Sequence, residues 1–187
     1  AGAKNPLIVA SSYGQQAAGV PVLADFAERF AIPVVSYRPR YICLPNDHAM
    51  HAGYETGPYL KDADVILTLD SDVPWIPSLH KLNPDARVIQ VAVDPLYSKY
   101  PIRGFPCDLA IAGDSAATVA LLADAMAGAK QNQAAADARR KRLAEAQQAG
   151  RDARAAKIAK CGSGAPMEAA WVAHCMNQVR DRGDVVV

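Results

Sequence analysis

Three apolar runs within residues 63–114 constrain this chain more than any other feature. They are Val65–Leu69, residues 88–93 and Leu109–Ala112, each entered from polar residues and closed by Asp, Asp-Pro or Gly-Asp. Runs rich in Val, Ile and Leu with little polar alternation suit strands of a parallel sheet covered on both faces, because such a strand has no solvent side. In open parallel sheets the carboxyl ends of the strands are where ligands bind. Asp70, Ser71, Asp72, Asp94, Gly113 and Asp114 fall at those ends.

The remaining chain supplies the other parts of an α/β layout. Residues 6–10 read as a first strand, followed by the turn Ser11-Ser12-Tyr13-Gly14 and an amphipathic helix from about 17 to 31. Ser11 and Gly14 are the candidate nucleotide contacts of that turn, although a phosphate-cradling loop calls for more glycine than this one holds. An ordinary strand-to-helix turn is the competing reading. Residues 32–37 form a second strand, with Pro33 near its entrance where a missing N–H is tolerated. In the long loop 38–53, His48 and His51 lack a third ligand nearby, so loop-anchoring hydrogen bonds are expected rather than a metal. The segment Pro74-Trp75-Ile76-Pro77 follows the third strand. Proline stiffening suits Pro74, Trp75 and Ile76 to a pocket wall, and a Trp75 that only caps the core is the equal alternative. Asp114 or Ser115 is placed to cap a helix running to about residue 126.

Composition narrows the function classes. Twenty Lys and Arg against nineteen Asp and Glu give a net charge of +1, which argues against nucleic acid as the main partner. Nine of the basic residues lie in 130–160 with only three acidic ones, and Leu143 and Ile158 are that segment's larger aliphatics, so an exposed, charged helical linker is expected there. The four cysteines form no CxxC pair, which points to neither zinc nor a disulfide framework and suits a reducing, cytoplasmic setting. No apolar run reaches the roughly 20 residues that span a bilayer. The expected domains are 1–129 as a Rossmann-like unit, 130–165 as linker, and 166–187 as the opening of a further domain, ending in the strand-like Asp184-Val-Val-Val187. The chain is accordingly read as a piece of something longer.

The ordered set Pro6-Leu-Ile-Val-Ala10, Ala27-Glu-Arg-Phe-Ala-Ile-Pro-Val-Val35, Leu44-Pro-Asn-Asp-His48, Gly53, Ala63-Asp-Val-Ile-Leu67, Pro84-Asp-Ala-Arg-Val-Ile89, Val93-Asp-Pro95 and Gly113-Asp114 resembles the central domain of thiamine-diphosphate enzymes. Acetolactate synthase and benzoylformate decarboxylase are the relatives in view. The likeness runs from residue 1 to about 126, and 166–187 is similar to the start of the family's pyrophosphate-binding domain. It implies a six-stranded, Rossmann-like doubly wound parallel sheet akin to the nucleotide-binding fold of deoxyhypusine synthase and sirtuins. It also implies a parent enzyme acting on 2-oxo acids by decarboxylation or carboligation, and oligomeric as a dimer or tetramer. Thiamine diphosphate and magnesium would then be bound by pyrimidine and pyrophosphate domains outside these residues. No catalytic residue or metal ligand is expected in this stretch, which should be inactive alone.

FAD or another adenine nucleotide at the sheet edge stays open as a lesser expectation, with Ser11, Gly14, Asp70, Ser71, Asp94, Gly113 and Asp114 as its contacts. The Arg-rich sequence that accompanies FAD in the synthases is replaced here by Asp70-Ser-Asp-Val-Pro-Trp75. The active-site histidine of the decarboxylase loop is likewise absent, with Ile76 and Pro77 in its place and His80 slightly beyond. A non-catalytic nucleotide-binding module is the alternative function, and a structural middle domain supporting subunit contacts is a third. A sirtuin-like deacylase is disfavoured without paired CxxC ligands.

Overall fold

The structure, a computed structural model, describes residues 2–129, 132–161 and 166–179. In chain order the elements are β1 (Pro6–Ala10), a 3-10 turn (Tyr13–Gln15), α1 (Gly19–Phe30), β2 (Val34–Ser36) and α2 (Gly57–Leu60). Then come β3 (Val65–Leu69), β4 (Arg87–Ala92), β5 (Leu109–Ala112), α3 (Ser115–Ala127), α4 (Gln133–Lys160) and α5 (Ala169–Val179). The chain divides into two compact units, Ala1–Leu143 and Ala144–Val187.

The first unit holds a five-stranded parallel sheet in the order β2-β1-β3-β4-β5. In register, Ile8 lies beside Val34 and Leu67, Leu67 beside Ile89, and Ile89 beside Leu109. Side chains alternate across the pleat, so Ile8, Leu67, Ile89 and Leu109 share one face. Phe26 and Phe30 of α1 and Leu122 and Met126 of α3 line the same apolar space as that face. The opposite face carries Leu7, Val9, Ile66, Thr68, Val88 and Gln90.

A sixth strand is present only in outline. Beside β2, the Val34 N–H donates to Met50 O at 2.9 Å, Ala52 N–H to Val34 O at 2.7 Å and Ser36 N–H to Gly53 O at 3.0 Å. Val34 and His51 form a single parallel bridge. Residues 50–53 thus extend the sheet past β2 without a continuous ladder, because Gly53 at φ 86° turns the chain away.

Three expectations from the sequence shift. The fourth strand stops at Ala92, and Val93 is 82% exposed, because the chain turns there and Asp94 Oδ2 accepts the Ser98 N–H at 2.8 Å. β5 is not covered on both faces. It is an edge strand, and Leu109 is half exposed. The first turns of α4 are not a free linker either: Ala136, Arg139 and Leu143 are buried on the first unit. Arg139 holds that docking through Nε to Ala31 O at 2.8 Å, Nη2 to Phe30 O at 3.1 Å and Nη1 to Lys4 O at 2.8 Å. Two of those carbonyls close α1, where a cation meets the negative end of the helix dipole.

In the second unit the remainder of α4 is exposed apart from partly buried residues, and Cys161 Sγ lies 3.4 Å from Glu168 Oε2. α5 buries no residue. Residues 162–165 and the strand expected at 184–187 lie outside the described residues. No described helix is long and apolar enough to cross a membrane.

Candidate functional site

The sheet order reverses between β1 and β3, since the chain leaves β1 for β2 on one side and enters β3 on the other. The crevice at the carboxyl ends of these two strands is the ligand position for this topology. Four of the candidate residues gather around it. Ser11 follows β1, Asp70 and Ser71 follow β3, and Asp114 precedes α3.

Each is engaged within the chain. Ser11 Oγ donates to Tyr37 O at 2.7 Å and stands 2.9 Å from Ser71 Oγ, with both residues 2% exposed. Backbone bonds close the same space: Ser12 N–H to Asp70 O at 3.2 Å, and Arg40 N–H to Ser11 O at 2.9 Å. Asp114 caps α3, its Oδ1 accepting the Ala117 N–H at 2.8 Å, while Oδ2 accepts Gln16 Nε2 at 2.8 Å. These bonds hold its carboxyl below the usual range. The expected cap is therefore the observed one.

Gly14 has a packing explanation. A Cβ there would lie 1.9 Å from the Ile42 carbonyl oxygen, so the glycine is required by the close passage of the 38–46 loop. Gly113 has no such contact; its N–H donates to Ala92 O at 3.0 Å and continues the sheet. Asp94 stands apart, closing its own turn through the Ser98 N–H and hydroxyl, each at 2.8 Å.

Asp70 sits at φ 47°, a left-handed conformation that Asp tolerates better than most residues. Burial pushes its carboxyl above the ordinary range; the nearby Ser115 hydroxyl offsets part of this and the Asp114 carboxylate adds to it. Asp72 shows the opposite balance. Burial opposes its charge, yet Arg40 Nη2 at 2.7 Å, the Tyr100 hydroxyl at 3.0 Å and the Val73 N–H at 3.0 Å prevail, and its carboxyl falls below the usual range.

Two of the cations near these carboxylates, Arg40 and Arg103, have partners within the chain. Arg40 is spent on Asp72. Arg103 donates Nε to Asp72 O at 3.1 Å and Nη2 to Gln90 Oε1 at 2.7 Å, and lies over the Tyr97 and Phe105 rings. Gln90, buried mid-strand, completes its bonds through Nε2 to Pro106 O at 2.9 Å. Arg38, past the end of β2, packs over the Tyr37 ring. Sequence reasoning missed Gln16, Arg40, Gln90, Arg103 and Arg139, because their partners are distant in the chain and no local spacing marks them.

The loop after β3 places Trp75 in the core, 1% exposed and edge-on to Phe105 with ring centroids 5.4 Å apart. Pro74 is buried beside it and Ile76 is half buried. His48 and His51 anchor their own loop, each Nδ1 accepting a backbone N–H, from Met50 at 3.1 Å and Gly53 at 3.2 Å. Among the described residues no group of three or more His, Cys, Asp or Glu side chains could hold a metal ion.

A five-stranded parallel sheet reversing its order at β1 and β3, with α1 and α3 against one face, defines a Rossmann-like α/β domain. The family model described as thiamine pyrophosphate enzyme, central domain, matches residues 1–122, and the chain belongs to that family. Among solved structures it is similar to a protein isolated from Mycobacterium smegmatis and described as a candidate thiamin diphosphate-dependent enzyme. The two are 21% identical, with 66% of this chain and 25% of that one covered at a TM-score of 0.54. A second likeness is to benzoylformate decarboxylase from Polynucleobacter necessarius, 23% identical over 65% of this chain and 24% of that one, at a TM-score of 0.49. The chain thus spans about a quarter of the length of these structures. No curated protein matches it.

Proposed function

We propose that this chain is the middle domain of a thiamine-diphosphate-requiring enzyme acting on 2-oxo acids, by decarboxylation, acyloin carboligation or both. The observation that carries the reading is the family match over residues 1–122, which spans the whole sheet and most of α3. In this reading thiamine diphosphate and magnesium are held by pyrimidine and pyrophosphate domains outside the 187 residues, and residues 166–187 open the second of these. The chain itself is scaffold. The parent works as a cytoplasmic homo-oligomer.

Within that enzyme the loop 74–76 at the carboxyl end of β3 forms part of the substrate pocket wall. Ile76 is its half-buried member, and Pro74 and Trp75 brace it from the core. Trp75 is the wrong probe, since truncating a fully buried Trp costs about 3–5 kcal/mol of stability and would confuse folding with specificity. Ile76→Ala in the full-length enzyme is expected to alter relative kcat/KM among 2-oxo acids of different side-chain size. Ratios identical to those of the wild type would remove the loop from the pocket.

The function as a whole is tested by assaying the full-length protein against a panel of 2-oxo acids, with and without thiamine diphosphate and magnesium. Consumption that needs both supports the reading.

A further inference from the structure

We infer that the crevice where a dinucleotide would lie on a sheet of this topology is filled by the protein's own groups, so that this domain takes neither FAD nor an ADP moiety. The inference rests on the reading above only for the class of cofactor at issue. Nucleotide binding at such an edge needs a glycine turn that the backbone can offer to phosphate, free N–H groups at a helix start, an open gap between the two strands, and cations or neutral donors facing the diphosphate. The first three are closed here, and the fourth is opposed by carboxylates.

The space beside Gly14 belongs to the Ile42 carbonyl, an acceptor that would repel a phosphate oxygen. At the start of α1, the Gly19 N–H donates to Gln16 O at 2.8 Å and the Val20 N–H to Ala17 O at 3.2 Å, so the preceding turn consumes donors that a phosphate would use. At the start of α3 the anion position is taken by a carboxylate of the chain itself, since Asp114 accepts from Ala117 N–H and is steadied by Gln16. The gap between β1 and β3 is bridged by the Ser11 and Ser71 hydroxyls at 2.9 Å. A diphosphate entering would also meet the carboxylates of Asp70, Asp72 and Asp114, while Arg40 and Arg103 remain tied to Asp72 and Gln90. Several independent closures make this more than one missing glycine.

Two readouts test this on the full-length protein. The visible absorbance of the purified protein reports flavin carried through purification, and calorimetric titration with FAD and with ADP reports binding with Kd values up to about 1 mM. The expected result is no flavin and no saturable heat from either ligand, in protein whose cooperative thermal unfolding shows it to be folded. Stoichiometric flavin, or saturable binding of either ligand, would overturn the inference. The outcome is separable from the function proposed above: bound FAD with intact thiamine-diphosphate-dependent turnover contradicts the closed crevice alone, and absent turnover without FAD binding contradicts only the proposed function.

Discussion

At the scale of single residues, the acidic rim is three different devices. Asp114 is a helix cap, Asp72 is the hub of a hydrogen-bond network, and Asp70 is a partly buried carboxyl whose charge is disfavoured. Asp70 yields the sharpest prediction. Its folded-state carboxyl is raised above the unfolded value, so its contribution favours folding at low pH and is lost as pH rises through the folded value. Asp70→Asn is therefore expected to raise the urea midpoint at neutral pH, with the gain fading below about pH 4, where the unfolded carboxyl also protonates. Asn accepts the left-handed backbone equally well, so the comparison isolates charge. A midpoint that falls at neutral pH would mean that the Asp70 charge is compensated. The sequence placed these carboxylates at strand ends correctly. It could not distinguish their roles, because the distinction lies in Gln16, Arg40 and Ser115, none of which is close to its partner in the chain.

At the scale of elements, the strands were legible because long apolar runs have few other fates, and their ends agree with the expectation to within a residue or two. What stayed hidden was how the two exposed margins of the sheet are managed. Beyond β2, residues 50–53 pair weakly, a strand too short to leave a pattern. The irregular stretch 96–106 carries Arg103, whose bond to the buried Gln90 ties it to β4. The charged segment after residue 130 misled for a physical reason. Its first turns, up to Leu143, are part of the first unit and are held there by small Ala136, by Leu143 and by a guanidinium rather than by a broad apolar stripe. Arg139→Lys is expected to cost on the order of 2–3 kcal/mol, because one ammonium cannot reproduce a planar fork that reaches three carbonyls. Urea denaturation of this variant, with the exposed Arg154→Lys as the control because Arg140 also reaches α1 through Nη2 to Glu28 O at 3.0 Å, measures the difference. Equal midpoints for the two would show that α4 is not held by Arg139.

At the scale of the whole molecule, the inference makes this domain a frame whose ligand edge is closed by the chain's own groups. Its family membership is shown over residues 1–122, and the proposed function places the chemistry in segments beyond this chain. In the proposed function such a frame contributes by fixing the positions of its neighbours and of the 74–76 loop. The deciding measurement is the rate at which the full-length protein consumes 2-oxo acids, assayed with thiamine diphosphate and magnesium, with each omitted, and with FAD added. Turnover that requires thiamine diphosphate and magnesium and is indifferent to FAD is the expected result. Failure to turn over any 2-oxo acid in their presence, or turnover undiminished after both are removed, would contradict it.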